Sequence, residues 1–174
     1  TGPTISLGHA SMRLPSDPDK FVVKGRGYAI DALASMQPEQ MVTVDLEGYK
    51  VGGPPATAAA GEIKMHSCLY KMYPEVQSVV HVHPRFTIVM GLIEATIKPM
   101  SHEGNKLVRD PLPVYPHQRL IITEEHGMAV AGLMGTGKAV LLRGHGAVVT
   151  GASLEESVMN MVALEEQVKL NWYE

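Results

Sequence analysis

The stretch Val79-Val80-His81-Val82-His83 carries the clearest chemistry in the chain. On a strand, residues two apart point to the same face. His81 and His83 therefore project side by side, at a spacing where two imidazoles can share one metal ion. The alternative is a pair of half-buried strand-end histidines satisfied by hydrogen bonds. Two further features favour the metal. Arg143-Gly144-His145-Gly146 interrupts a second apolar strand-like run, and glycine on both sides of a buried histidine signals close approach of something to the backbone. Glu62 stands four residues before His66 on what reads as a helix over 58–73, so the two share a helix face. That helix leads through Pro74 directly into the His81/His83 strand, and residues 57–61 before Glu62 are small and uncharged. The alternative for Glu62 is a solvated helix glutamate. Three histidines and one carboxylate form the ligand set of a catalytic divalent site with an open position.

The elements that must position these groups follow from hydrophobic period and turn residues. Strands are expected over 5–14, 21–24 and 41–45, the last running through Glu47-Gly48 into a hairpin, with a short helix or turn over 31–36. After the 58–73 helix come a Val-rich buried strand over 76–83 and a helix over 85–92. Short strands over 96–99 and 113–115 flank a loop carrying Ser101-His102-Glu103-Gly104. A helix over 123–134 has Thr123 as N-cap. A strand over 139–150 precedes the longest helix, 153–171, which opens on the capping box Ser153-Leu154-Glu155-Glu156. Strands first, then strands mixed with helices, predict an α+β or α/β/α layered domain with a mixed sheet, rather than a regularly alternating doubly wound one. Gly132 to Lys138 matches a phosphate-loop pattern, but Ala139 stands where the Ser or Thr is required. A helix precedes that stretch and a strand follows, the reverse of what phosphate binding needs. It reads as a helix C-cap and turn.

Composition narrows the class. The 174 residues are 45% apolar and 19% charged, enough for one core and too apolar for disorder. A net charge of −3 argues against a nucleic-acid binder. No apolar run reaches the roughly 18 residues of a membrane span. The start, Thr1-Gly2-Pro3-Thr4, has neither the cationic nor the apolar part of a signal peptide. The single cysteine, Cys68, excludes an internal disulfide. A cytoplasmic protein is expected.

From Gly8 to about Asn171 the sequence resembles the class II aldolase/adducin family. The resemblance rests on Glu62 opening a helix, His81-Val82-His83 on a strand, and Leu142-Arg143-Gly144-His145-Gly146 before a long helix that starts at Gly151-Ala152-Ser153-Leu154-Glu155-Glu156. It implies a three-layer α/β/α sandwich with a mixed, mainly antiparallel sheet over 1–174. It implies one divalent ion per subunit, zinc first and Mn, Co, Mg or Fe as alternatives, held by His81, His83 and His145. Glu62 would be a fourth ligand or the proton-transfer group. It also implies a homotetramer with sites at subunit boundaries. Members carry a further helix before the position of Gly8, so a missing N-terminal piece is expected.

The resemblance also bears on substrate. Sugar-phosphate members hold phosphate with a Gly-Asn, a Ser/Thr-Gly turn and a Ser-Ser before the metal-site acid. Here these read Gly8-His9, Lys24-Gly25-Arg26-Gly27 and Ala60-Gly61. Hydroxyls have gone and cations have appeared. A pocket with His9, Lys24 and Arg26 suits a flat carboxylate better than a phosphate, as in the family's branch that decarboxylates hydroxyaromatic acids. The alternative for Lys24 and Arg26 is a pair of surface charges on a turn. His102 and Glu103 lie in a loop where family members place substrate-facing or neighbour-reaching groups, and Tyr115, Trp172 and Tyr173 are candidates for closing the pocket. His66 is expected below the metal centre. The expected function is a metal-dependent carbon–carbon lyase on a small molecule, a decarboxylase of a hydroxyaromatic or hydroxy/keto acid. The competing classes are an aldolase, an Fe(II)-dependent oxygenase and a non-catalytic interaction domain.

Overall fold

The computed structural model describes residues 8–30, 32–55, 58–108 and 111–174. The strands are β1 (Gly8–Leu14), β2 (Asp17–Arg26), β3 (Met41–Asp45), β4 (Lys50–Gly52), β5 (Ala58–Ala59), β6 (Ser78–Val82), β7 (Val114–Tyr115), β8 (Ala139–Leu142) and β9 (Gly146–Gly151). The helices are α1 (Ile63–Met72), α2 (Arg85–Leu92), α3 (Asn105–Val108), α4 (Glu124–Met134) and α5 (Leu154–Tyr173). The sheet runs β4-β3-β2-β1-β6-β9-β8-β7, with β5 added on β2. Only the β7–β8 pairing is parallel among the described strands.

Side chains alternate across the sheet and divide the core into two layers. Val79 of β6, Val140 and Leu142 of β8 and Val148 of β9 join Met65 and Leu69 of α1 and Val130 of α4 on one face. Val80, Leu141, Ala147 and Val149 join Met90 of α2 and Met161, Leu164 and Val168 of α5 on the other. This is the expected α/β/α sandwich with a mixed, mainly antiparallel sheet. The parity places His81 on the α1 side with Val79. In the β1–β6 register His9 lies opposite His81 and Ser11 opposite Val79. The first strand and the metal strand therefore present their polar groups to the same helix.

Four local expectations are corrected. The helix expected over 58–73 begins only at Ile63, because Ala58 and Ala59 pair with Arg26 and Gly25 of β2. Glu62 becomes the helix N-cap and does not share a helix face with His66. The strand expected over 139–150 is two antiparallel strands, with Leu141 opposite Ala147 and Leu142 opposite Gly146. His145 sits in the hairpin turn, where Gly144 at φ +63° takes a left-handed conformation. No strand forms over 96–99; that segment is held to α5, where Asn171 Nδ2 and Gln167 Nε2 donate to the Lys98 carbonyl. The capping box of α5 is incomplete: Ser153 Oγ accepts from the Glu156 amide, but Glu156 reaches back to Ala152 rather than Ser153. Residues 5–7, Asp31 and Thr57 lie outside the described residues.

Two packing features hold the site's supports in place. Gly127 of α4 lies against α1 so closely that a β-carbon would come within 2.5 Å of the Lys64 carbonyl oxygen. Glu124, at the start of α4, pairs there with Lys64 and Lys71 of α1 at 2.9 and 2.8 Å. On the opposite face Glu165 of α5 accepts from the Phe86 and Thr87 amides, both at 2.9 Å. It thereby caps the N-terminus of the helix that directly follows His83 and Pro84. The Gly132–Lys138 stretch is the end of α4 and a turn, with Gly135 as C-cap.

Candidate metal centre

Glu62, His81, His83 and His145 converge, with one donor atom from each all within 4.8 Å of one another. Glu62 Oε2 lies 3.4 Å from His81 Nε2 and 3.4 Å from His145 Nε2. His83 Nε2 stands 3.0 Å from His81 Nε2. Each group arrives by a separate device. Strand parity carries His81 and His83. The β8–β9 turn brings in His145. The unwound turn before α1 brings in Glu62.

Hydrogen bonds behind the cluster turn its lone pairs inward. His81 Nδ1 donates to the Ala147 carbonyl at 2.9 Å, leaving Nε2 unprotonated toward the cluster in the neutral ring. Glu62 Oε1 accepts from the Ile121 amide at 2.9 Å, leaving Oε2 for the cluster. His145 Nε2 is buried without a hydrogen-bond partner. Such a group is costly to bury unless it finds a partner. A cation bound by three imidazoles and a carboxylate supplies one, and this donor set suits a divalent ion. The residues present therefore fit a metal site.

Charge states agree with that fit. Burial opposes ionisation of Glu62, but the adjacent His145 and His81 rings and the Ile121 amide outweigh it and hold the carboxyl well below its usual range. Burial, then the His81 and His145 rings beside it, push His83 down to about 4. At neutral pH the site offers a carboxylate and neutral His83.

The cluster opens on a cavity of about 750 Å³ lined by His9, Lys24, Arg26, Glu62, His83, Leu120 and Ile122, among others. His9 and Lys24 are buried, and Arg26 is exposed at the rim. Of the expected substrate-contacting residues, these three therefore reach the cavity. His102 and Glu103 are exposed and are not among its lining residues; their loop is pinned to α5, where Gln167 Oε1 accepts from Ser101. Tyr115 is buried in the core beneath α4, and Trp172 and Tyr173 are exposed at the end of α5. None of the three lines the cavity.

Sequence reasoning missed Leu120, Ile122 and the Ile121 amide, which come from an irregular segment without periodicity. It also missed Ser11 and Tyr70, whose hydroxyls are hydrogen-bonded to each other, and Ser11 to His66, behind His9. Those two had a signal: Ser11 is two residues from His9 on a strand, and Tyr70 is four from His66 on a helix.

A three-layer sandwich with a carboxylate and three imidazoles gathered at strand ends and turns defines a class of metal-site protein. Residues 4–172 match the family described as Class II Aldolase and Adducin N-terminal domain, and the chain belongs to that family. It is 30% identical over 172 residues to the 3,4-dihydroxyphthalate decarboxylase of Terrabacter sp. (strain DBF63), a match covering 95% of this chain and 71% of that protein. It is also 30% identical over 174 residues to the 3-oxo-tetronate 4-phosphate decarboxylase of Haemophilus influenzae, covering 94% of this chain and 75% of that one. The solved L-fuculose-1-phosphate aldolase of Thermus thermophilus superposes with a TM-score of 0.79 at 27% identity, covering 98% of this chain and 84% of that one.

Proposed function

We propose that the protein is a divalent-metal-dependent carbon–carbon lyase that decarboxylates a hydroxyaromatic acid. The observation that carries this reading is the cavity in front of the cluster. It joins two cationic side chains, Lys24 and Arg26, to the apolar Leu120 and Ile122, and no Ser or Thr stands among its described lining residues. An aromatic acid presents the matching chemistry: a planar apolar ring and a carboxylate. Arg26 is suited to pair with a carboxylate through its fork of donors. The similarity to the two decarboxylases named above supports the reaction type.

A divalent ion in the cluster would supply a Lewis acid for the negative charge left on the substrate. Zinc is the proposed ion, on the donor set of His81, His83, His145 and Glu62. In the reaction the bond to the carboxylate breaks, its electron pair stays on carbon, and CO2 leaves. A proton must then reach that carbon. Glu62, a carboxylate in the resting site, stands at the junction of cluster and cavity and is the group placed to take up the proton of the substrate's hydroxyl and hand it on to that carbon. Lys24, Arg26 and His9 hold and orient the acid. His102 and Glu103 have no role in the cavity of their own chain, and a reach toward a neighbouring subunit fits their exposure.

Assembly as a homotetramer is part of the proposal. The α5 helix buries Met161, Leu164 and Val168 against the sheet, yet leaves Val158, Met159 and Val162 exposed. A surface helix of a monomer normally carries one apolar stripe. Sedimentation is expected to give a mass of four chains; a single-chain mass at micromolar concentration sinks this part. Among the described residues no helix is long and apolar enough to cross a membrane.

The test is CO2 release by zinc-loaded protein from 3,4-dihydroxyphthalate, with 3-oxo-tetronate 4-phosphate and L-fuculose 1-phosphate run in parallel. CO2 from the dihydroxy acid is the expected result. Aldehyde release from the sugar phosphate, with no CO2 from either acid, would replace the reading with an aldolase.

A further inference from the structure

Behind His9, which lines the cavity, runs a file of polar groups that the proposed reaction does not use. His9 Nδ1 lies 2.6 Å from His66 Nε2. His66 Nδ1 lies 2.6 Å from Ser11 Oγ, and Ser11 Oγ lies 2.8 Å from Tyr70 Oη. His66 is wholly buried, Tyr70 is 1% exposed and Ser11 is 2% exposed. A buried polar file of this kind is stable only if every donor finds an acceptor.

Two proton orders are self-consistent within the file. In the first, Tyr70 donates to Ser11, Ser11 to His66 Nδ1, and His66 Nε2–H to His9 Nδ1. His9 then carries its own proton on Nε2, toward Glu62 Oε2 at 4.0 Å. In the second, every bond is reversed and His9 turns a lone pair toward that carboxylate. The two ends of the file choose between them. At the inner end stands the buried Tyr70 hydroxyl. Its phenol proton needs an acceptor, and Ser11 Oγ is the one its geometry offers. The reversed order would leave that proton buried and unpaired, the costly outcome. At the outer end an N–H facing a carboxylate is attractive, and a lone pair there is repulsive. Both ends select the first order. Burial keeps the His66 ring neutral, pushing it down to about 3, so it carries one proton; with Nδ1 accepting from Ser11 that proton stands on Nε2 and faces His9 Nδ1.

We propose that Tyr70, Ser11 and His66 form a buried relay that fixes the Nε2–H tautomer of His9 and so makes His9 a hydrogen-bond donor to an anionic oxygen of the substrate in front of Glu62. The tautomer follows from the file itself; the substrate clause rests on the decarboxylase reading above. His66, Ser11 and Tyr70 are positioning residues that act through His9. The relay also explains why a helix packed against an apolar core spends a fully buried position on a histidine, four residues before a tyrosine whose hydroxyl points the same way.

The assignment is read directly by two-bond ¹H–¹⁵N correlation spectra of ¹⁵N-labelled protein, with and without zinc. His9→Gln and His66→Gln variants identify the signals. His9 and His66 are both expected to be protonated at Nε2, with Nδ1 as acceptor. A proton on Nδ1 of either ring overturns the proposal, whatever the protein turns over. Ser11→Ala removes the donor that sets His66, so His9 is expected to become a mixture of tautomers. With zinc content unchanged, kcat/KM on 3,4-dihydroxyphthalate is expected to fall about tenfold, the scale of one lost hydrogen bond. The near-isosteric Tyr70→Phe removes the inner constraint and should shift His9 in the same direction by less. If Ser11→Ala leaves the His9 tautomer unchanged, the relay is wrong. If the parent protein turns over no candidate acid, the decarboxylase reading fails, and the spectra still decide the tautomer.

Discussion

Glu62 divides its two carboxylate oxygens between structure and chemistry. Oε1 is fixed by the Ile121 amide, and Oε2 faces His81 and His145. A group so held keeps its orientation when its charge is removed, which makes Glu62→Gln an informative change. The variant is expected to fold and to retain zinc on three imidazoles, yet to lose turnover by roughly 10²–10⁴-fold, the usual scale of general acid–base loss. His81→Ala removes a donor that is itself anchored on the Ala147 carbonyl, and zinc content measured after dialysis is expected to fall sharply. Near-full activity in Glu62→Gln would reduce Glu62 to a structural ligand. The grouping of Glu62 with the three histidines was legible at the level of residue type and spacing. The Ile121 amide was not, because a backbone donor from an irregular segment 59 positions away leaves no mark in side-chain chemistry.

The elements show why a correct inference can rest on an incorrect picture. Glycine on both sides of His145 points to close approach of another group to the backbone. Close approach is found, but the neighbour of Gly146 is strand β6: a β-carbon there would lie 2.3 Å from the Val82 carbonyl oxygen and 3.0 Å from His83 Cα. Gly146 also stands at φ +151°. The glycine thus lets the hairpin of His145 press on the strand end that carries His83, and the spacing between two candidate ligands depends on it. Gly146→Ala is expected to destabilise the fold by about 1–3 kcal/mol, the usual range for overpacking. It should also weaken zinc affinity, because backbone must move and His83 moves with it. Urea melts and zinc titration check the pair of effects; a variant with unchanged affinity would uncouple the hairpin from the site. Strand, helix and turn types were mostly readable from period and punctuation. The displaced starts have tertiary causes, as where Ala58 and Ala59 are drawn into pairing with β2 and delay α1 to Ile63.

At the scale of the whole molecule, the fold stores neutral imidazoles in places where a charge is unwelcome. His66 is fully buried, and burial holds its pKa at about 3 against 6.5 for an unperturbed ring. His9 is lowered in the same sense, first by burial and then by the rings of His66 and His81. Both folded-state values lie below the unfolded ones, so the unfolded chain takes up protons first as pH falls. The stability these rings contribute is fully present above about pH 6.5 and is lost progressively as pH drops toward 3. Each such group can cost up to about 1.4 kcal/mol per pH unit within that window. The sandwich around them is built from aliphatic residues on both faces of the sheet, whose burial does not change with pH. The metal-free protein is therefore expected to show a urea midpoint that falls steadily between about pH 6.5 and 4, before most carboxylates have titrated. His66→Gln should flatten that slope even if it lowers the midpoint near neutral pH, because the replacement has no proton to gain. A parent midpoint that stays level across that window would mean that water reaches His66, and the buried file from Tyr70 to His9 would then not be the closed chain its distances describe.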